Sequence, residues 1–151
     1  MPAQGNYDHP SYITRQAIGL GVTTAGANGT SGGRAFISDM RYRKGAAVVK
    51  VAGTSTGNVV NVVVVGTMVT GYINGLLGTA LTTSTGTNTM MTITLGSSTA
   101  YSVTTSTDCD TKVTAGSVIF LKNGTDATGT ADVTLEAYLD PGATWTGPPG
   151  G

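Results

Sequence analysis

The segment 131–139 most constrains what this chain can become. Val133, Leu135, Ala137 and Leu139 alternate there with Asp132, Thr134, Glu136 and Tyr138. In an extended strand successive side chains fall on opposite faces, whereas a helix of about 3.6 residues per turn would scatter such a pattern around its circumference. The segment is therefore read as a strand with one face on a core and the other in solvent. The stretch 36–43 repeats the order, with Phe36, Met40 and Tyr42 facing one way and Asp39, Arg41 and Arg43 the other.

Eight strand-like runs follow Arg34, at 36–44, 46–52, 59–65, 71–81, 90–95, 100–105, 117–123 and 131–139. Turn-prone groups separate them, including Lys44-Gly45, Ser55-Thr56-Gly57, Asn74-Gly75, Gly96-Ser97-Ser98 and Asn123-Gly124. The runs 59–65 and 117–121 are apolar on both faces, which predicts central strands covered from two sides or strands buried at a subunit interface. In 71–82, Tyr72, Ile73, Leu76, Leu77, Ala80 and Leu81 recur at helical spacing. Gly71, Gly75 and Gly78 would each cost a helix about 1 kcal/mol relative to Ala, so a strand or irregular segment is preferred. No repeat of fixed period stands out, which disfavours a solenoid. The expectation is an all-β chain: a single jelly-roll-like β-sandwich of roughly eight strands with an extended N-terminal arm.

The 151 residues suit one domain. Its parts are read as an extended arm and Gly-rich linker at 1–33, a β-sandwich body at 34–140 and a Pro/Gly-rich tail at 141–151. The stretch 12–20 carries too many apolar groups to remain in water without benefit, while Pro10 and the glycines of 26–33 argue against a core strand. Docking on another chain, or on the protein's own body, resolves that tension. In the tail, Trp145 is read as an anchor on the body or a contact to a neighbour.

Charged residues make up 11%, against about 25% in typical soluble domains, and the formal net charge is zero. Little repulsion remains to keep copies apart, consistent with a surface covered by neighbours. The zero hides an asymmetry. Arg15, Arg34, Arg41, Arg43, Lys44 and Lys50 precede residue 75 against Asp8 and Asp39, whereas Lys112 and Lys122 follow it against Asp108, Asp110, Asp126, Asp132, Glu136 and Asp140. Such polarity would orient subunits head to tail or steer the basic half to an acidic partner.

Few residues here suit catalysis. The single histidine, His9, sits beside Pro10 in the arm, and no Gly-x-Ser-x-Gly elbow appears, so a serine hydrolase is rejected. Asp108 and Asp110, with Asp126, offer hard oxygen ligands for Ca²⁺, but a polar turn is the preferred reading. One histidine and one cysteine exclude a structural zinc within the chain, and Cys109 alone permits no intrachain disulfide. The glycines of 26–33 lack the Gly-Lys-Ser/Thr ending of a phosphate loop. Arg41, Arg43 and Lys44, with Arg34, Lys50 and Tyr42, form a small basic group better suited to a protein contact than to nucleic acid at this overall charge. Asn28-Gly29-Thr30 and Asn123-Gly124-Thr125 are read as turns. The N-terminus has no secretory pattern and no segment approaches 18 apolar residues, so synthesis in the cytoplasm without membrane insertion is expected. The expectation is a protein that is not an enzyme, with no cofactor, metal, small-molecule substrate, nucleic acid or membrane partner.

The sequence resembles the capsid decoration, or cement, proteins of tailed bacteriophages. The resemblance lies in Tyr7-Asp8-His9-Pro10-Ser11-Tyr12-Ile13-Thr14-Arg15-Gln16, the Gly/Ala/Thr linker, the Thr/Val/Gly-rich body, and the stretch 113–127 followed by 133–138, which looks like the closing hairpin of viral β-sandwiches. It implies a homotrimeric virion structural protein on the outer capsid surface, bridging major capsid subunits and made in the bacterial host cytoplasm. The implied capsid contacts are Tyr7, Tyr12, Ile13, Arg15 and Ile18 in the arm, with Arg41, Arg43 and Lys44 on the body. The alternative is a receptor- or glycan-binding module of a phage tail or fibre.

Overall fold

The computed structural model describes residues 16–23, 26–35, 39–71, 81–106, 111–124 and 128–139. Among the described residues there are nine strands and no helix: β1 (Gln16–Val22), β2 (Thr30–Ala35), β3 (Met40–Val51), β4 (Val59–Thr70), β5 (Thr82–Thr94), β6 (Val103–Thr105), β7 (Thr111–Val113), β8 (Val118–Asn123) and β9 (Thr130–Leu139). Every pairing is antiparallel. The order along the sheet is β1-β9-β3-β7-β4-β8-β2, with β5 added to β4 and β6 to β3.

This sheet is curled into a half-barrel. Its bend is at β7, which pairs with Met40–Tyr42 of β3 on one side and with Met68 and Val69 of β4 on the other. The limb carrying β1, β9 and β3 thereby faces the limb carrying β5, β4 and β8. The space between them holds the core, including Tyr42, Val49, Val62, Ile93, Ile119, Leu121 and Leu135, all fully buried. Burial also pushes the Tyr42 phenol well above its ordinary pKa. The alternation in 131–139 is realised as expected: Ala131, Val133, Leu135 and Ala137 are buried, with Asp132, Thr134 and Glu136 half-buried between them.

Several expected boundaries shift for physical reasons. The two runs 36–44 and 46–52 form one strand from Met40 onward, without a turn at Lys44-Gly45. A Cβ on Gly45 would lie 2.7 Å from Met91 Sδ, 3.1 Å from Ile93 Cδ1 and 3.3 Å from Leu135 Cδ2. The glycine is needed for the two limbs to meet, and tertiary packing overrides its local turn preference. A bulge between Tyr42 and Lys44 in the ladder with β9 absorbs the change of direction. β5 starts eight residues earlier than the expected run at 90–95, and Val103–Thr105 is all that is strand in 100–105. The short β7 has no counterpart among the expected runs. The helix-like residues Tyr72, Ile73, Leu76, Leu77 and Ala80 lie outside the described residues, as do Phe36 and the tail with Trp145.

Two strands fall inside the stretch expected to be arm and linker. β1 ladders onto β9, with Ile18 opposite Leu135, and β2 ladders onto β8, with Arg34 opposite Ile119. Of the two ways to shelter the apolar groups of 12–20, residues from Gln16 onward take the protein's own body.

At one end of the barrel, loops converge on the buried Asn58. Its backbone N–H donates to Ser55 O (3.3 Å), and its backbone carbonyl accepts from Leu95 N–H (2.8 Å) and Gly96 N–H (3.0 Å). Gly129 closes against the same place: a Cβ there would come within 2.5 Å of Val51 O and 2.9 Å of Gly53 N.

Candidate partner-binding surface

The residues expected to touch a partner are divided by the fold. Tyr7, Tyr12, Ile13 and Arg15 lie outside the described residues. Ile18 is partly buried and packs against the chain's own core. Arg41, Arg43 and Lys44 do come together on the outer face of β3. Strand alternation sends Arg41 and Arg43 outward, and the bulge after Tyr42 adds Lys44 to the same exposed side.

This basic group is not isolated. Arg41 lies opposite Lys112 of β7, whose ammonium is 3.4 Å from Asp39 Oδ2, and Lys44 lies opposite Glu136 of β9. Among the described residues the charges of the two halves therefore lie side by side; Asp108, Asp110, Asp126 and Asp140 lie outside them. β3, from the basic half of the sequence, is flanked by β9 and β7 from the other half, so antiparallel pairing interleaves the two. The half-buried Lys112–Asp39 pair and the Lys44/Glu136 ladder partners place both signs along these strands.

The second apolar face of the two all-apolar runs gives the clearer feature. In β4, Val60, Val62 and Val64 enter the core, and in β8 Ile119 and Leu121 do the same. On the opposite face Val63 is covered, but Val65 is 42% exposed and its ladder partner Val118 is 36% exposed, with Phe120 half-buried next to Val63. β2 covers this face poorly, because it offers Gly32 and Gly33, both at positive φ and exposed, beside Val118 and Phe120. An open depression continues to Asn28, Asn88 and Lys122. The sequence left two explanations for these runs, double coverage by the chain or a subunit interface. The chain covers one face well and the other only in part.

A second exposed apolar group has no counterpart among the sequence expectations. Tyr101 is 78% exposed, Val103 64% and Val51 56%. Tyr101 adopts φ 66°, held by its amide to Val49 O at 2.7 Å, while Val49 N–H donates to Ser102 O at 2.9 Å. The 100–105 run signals apolar content, but not the turn that displays the ring.

Among the described residues no group of three or more His, Cys, Asp or Glu is placed to hold a metal ion, and His9, Asp108, Cys109, Asp110 and Asp126 lie outside them. Among the described residues no helix is long and apolar enough to cross a membrane. The chain matches no protein-family model, no curated protein and no solved structure.

Proposed function

We propose that this chain is a structural, partner-binding protein of a virus particle, seated on the outer surface of a phage capsid and bridging major capsid subunits. The observation that carries the binding part is the partly open apolar face of β4 and β8 at Val65, Val118 and Phe120. Apolar groups on that side of a central strand gain most when a neighbour excludes water from them. The capsid as partner rests on the resemblance of the opening segment and the body to decoration proteins.

In this reading the curled sheet is a jelly-roll-like sandwich, supported by the way Gly45 of β3 lets Met91 and Ile93 of β5 meet it across the core. The arm shortens to residues 1–15, because Gln16 opens β1. Tyr7, Tyr12, Ile13 and Arg15 remain its proposed contacts, with Arg41, Arg43 and Lys44 meeting the shell from the body. Many copies of a modest contact, linked through an oligomer, gain avidity without any one contact being strong. Heads assembled without this chain are expected to open at lower temperature or on milder osmotic shock. Unchanged head stability would remove the proposal.

The exposed ring of Tyr101 supports a second reading, a receptor- or glycan-binding module of a tail or fibre, since exposed aromatic faces suit sugar and protein recognition. It predicts that the isolated protein binds host cells or sugars and that Tyr101→Ala abolishes this.

A further inference from the structure

Among the described residues β5 has one ladder partner, β4, and its other edge is unpaired. Residues 82–89, Thr-Thr-Ser-Thr-Gly-Thr-Asn-Thr, ladder onto β4 from Val63 to Thr70 without a register shift, Gly86 standing opposite Gly66. Among the described residues no strand pairs with the other side of this segment. It extends about 26 Å at the usual rise of about 3.3 Å per residue, and all eight residues are exposed or half-exposed.

Soluble proteins blunt such edges with charge, proline, bulges or brevity. The other described ends of the sheet carry these devices: β2 has Arg34 and a register shift between Ser31 and Arg34, β1 a shift at Gly19/Gly21, and β6 only three residues. Residues 82–89 contain neither charge nor proline. The bulge of β5 comes only later, where Met90 is skipped between Thr89 and Met91.

We infer that residues 82–89 pair antiparallel with the same segment of a second copy, joining two sheets across a twofold axis. The chemistry selects a copy of itself. With the axis through Gly86, Thr85 meets Thr87, Ser84 meets Asn88 and Thr83 meets Thr89. Every pair is small and uncharged, and Thr–Thr neighbours are favourable across strands. A charged partner would find nothing on this edge to select it. The pairing is isologous and closes at two copies, whereas the resemblance to decoration proteins implies three. It does not depend on the capsid reading.

The test is the mass of the full chain by sedimentation, under reducing conditions so that Cys109 cannot cross-link copies, from about 1 to 100 µM, where a contact at the small end of specific interfaces should dissociate. A reversible monomer–dimer equilibrium is expected. Thr85→Lys and Thr87→Lys should each weaken it about tenfold or more, because the twofold axis brings each added charge in twice, while Thr56→Lys in an exposed loop should not. The second edge variant decides if the first fails to fold. A monomer throughout, a trimer, or a dimer indifferent to both edge lysines overturns the inference.

Discussion

Replacing Gly129 with alanine should destabilise the fold out of proportion to the single methyl added. The new Cβ would sit 2.5 Å from Val51 O, 2.9 Å from Gly53 N and 2.9 Å from Asn58 Nδ2. Ordinary contact begins at 3.4 Å, so the backbone around Val51 must retreat by about 0.9 Å. That backbone is fixed from both sides: Val51 is the last ladder partner of Thr130, and Thr54 N–H donates to Thr128 Oγ1 at 2.8 Å. Overpacking of this kind costs about 1–3 kcal/mol. For a chain of this size each kcal/mol moves the Tm by about 2–4 °C, so a drop of about 2–12 °C is expected by calorimetry or circular dichroism. Gly19→Ala is the matched control, since it is exposed in β1, has nothing within 4 Å of an added Cβ, and should be neutral or slightly stabilising. A Gly129→Ala protein that melts within a degree of the parent, or no lower than Gly19→Ala, would refute the packing described at this end of the barrel.

Leu135 is fully buried, opposite both Ile18 and Gly45, and Leu135→Ala should lower stability by about 2–5 kcal/mol, read from the urea midpoint. Tyr42 is buried with its phenol pKa raised, so the unfolded chain loses this proton near its ordinary pKa of about 10 while the folded chain keeps it. Its contribution is thus intact below pH 10 and falls by up to about 1.4 kcal/mol per pH unit above it; Tyr42→Phe should flatten that alkaline loss, and an unchanged pH profile would show that the phenol is not sheltered. Deleting residues 1–15 should preserve a cooperative unfolding transition and weaken partner binding, whereas deleting 1–33, which removes β1 and most of β2, should broaden or abolish the transition.

How much of this was legible depended on where the period-two signal was strong. In β9 the alternation of Val133, Leu135 and Ala137 with polar neighbours gave strand, face and burial together. In β5 residues 82–89 are polar on both faces, so periodicity carried no information and the strand was missed there. Lys44-Gly45 looked like a turn because local preference cannot report that Met91 and Ile93 of a distant strand need the space. The basic group at Arg41, Arg43 and Lys44 was legible as residues. Its counter-charges at Asp39 and Glu136 depend on strand order, which pairs β3 with β9 and β7. The open face of Val65 and Val118 was visible as an ambiguity, since a run apolar on both sides demands a second cover without saying whether the chain supplies it.

The most direct measurement adds purified protein to heads assembled without it and compares the parent chain with a Val65→Asp/Val118→Asp variant, both confirmed folded by their unfolding transitions. Saturable binding of the parent with a higher disruption temperature is expected, and neither effect for the variant. No binding by the parent, or equal binding and protection by both, would contradict this expectation.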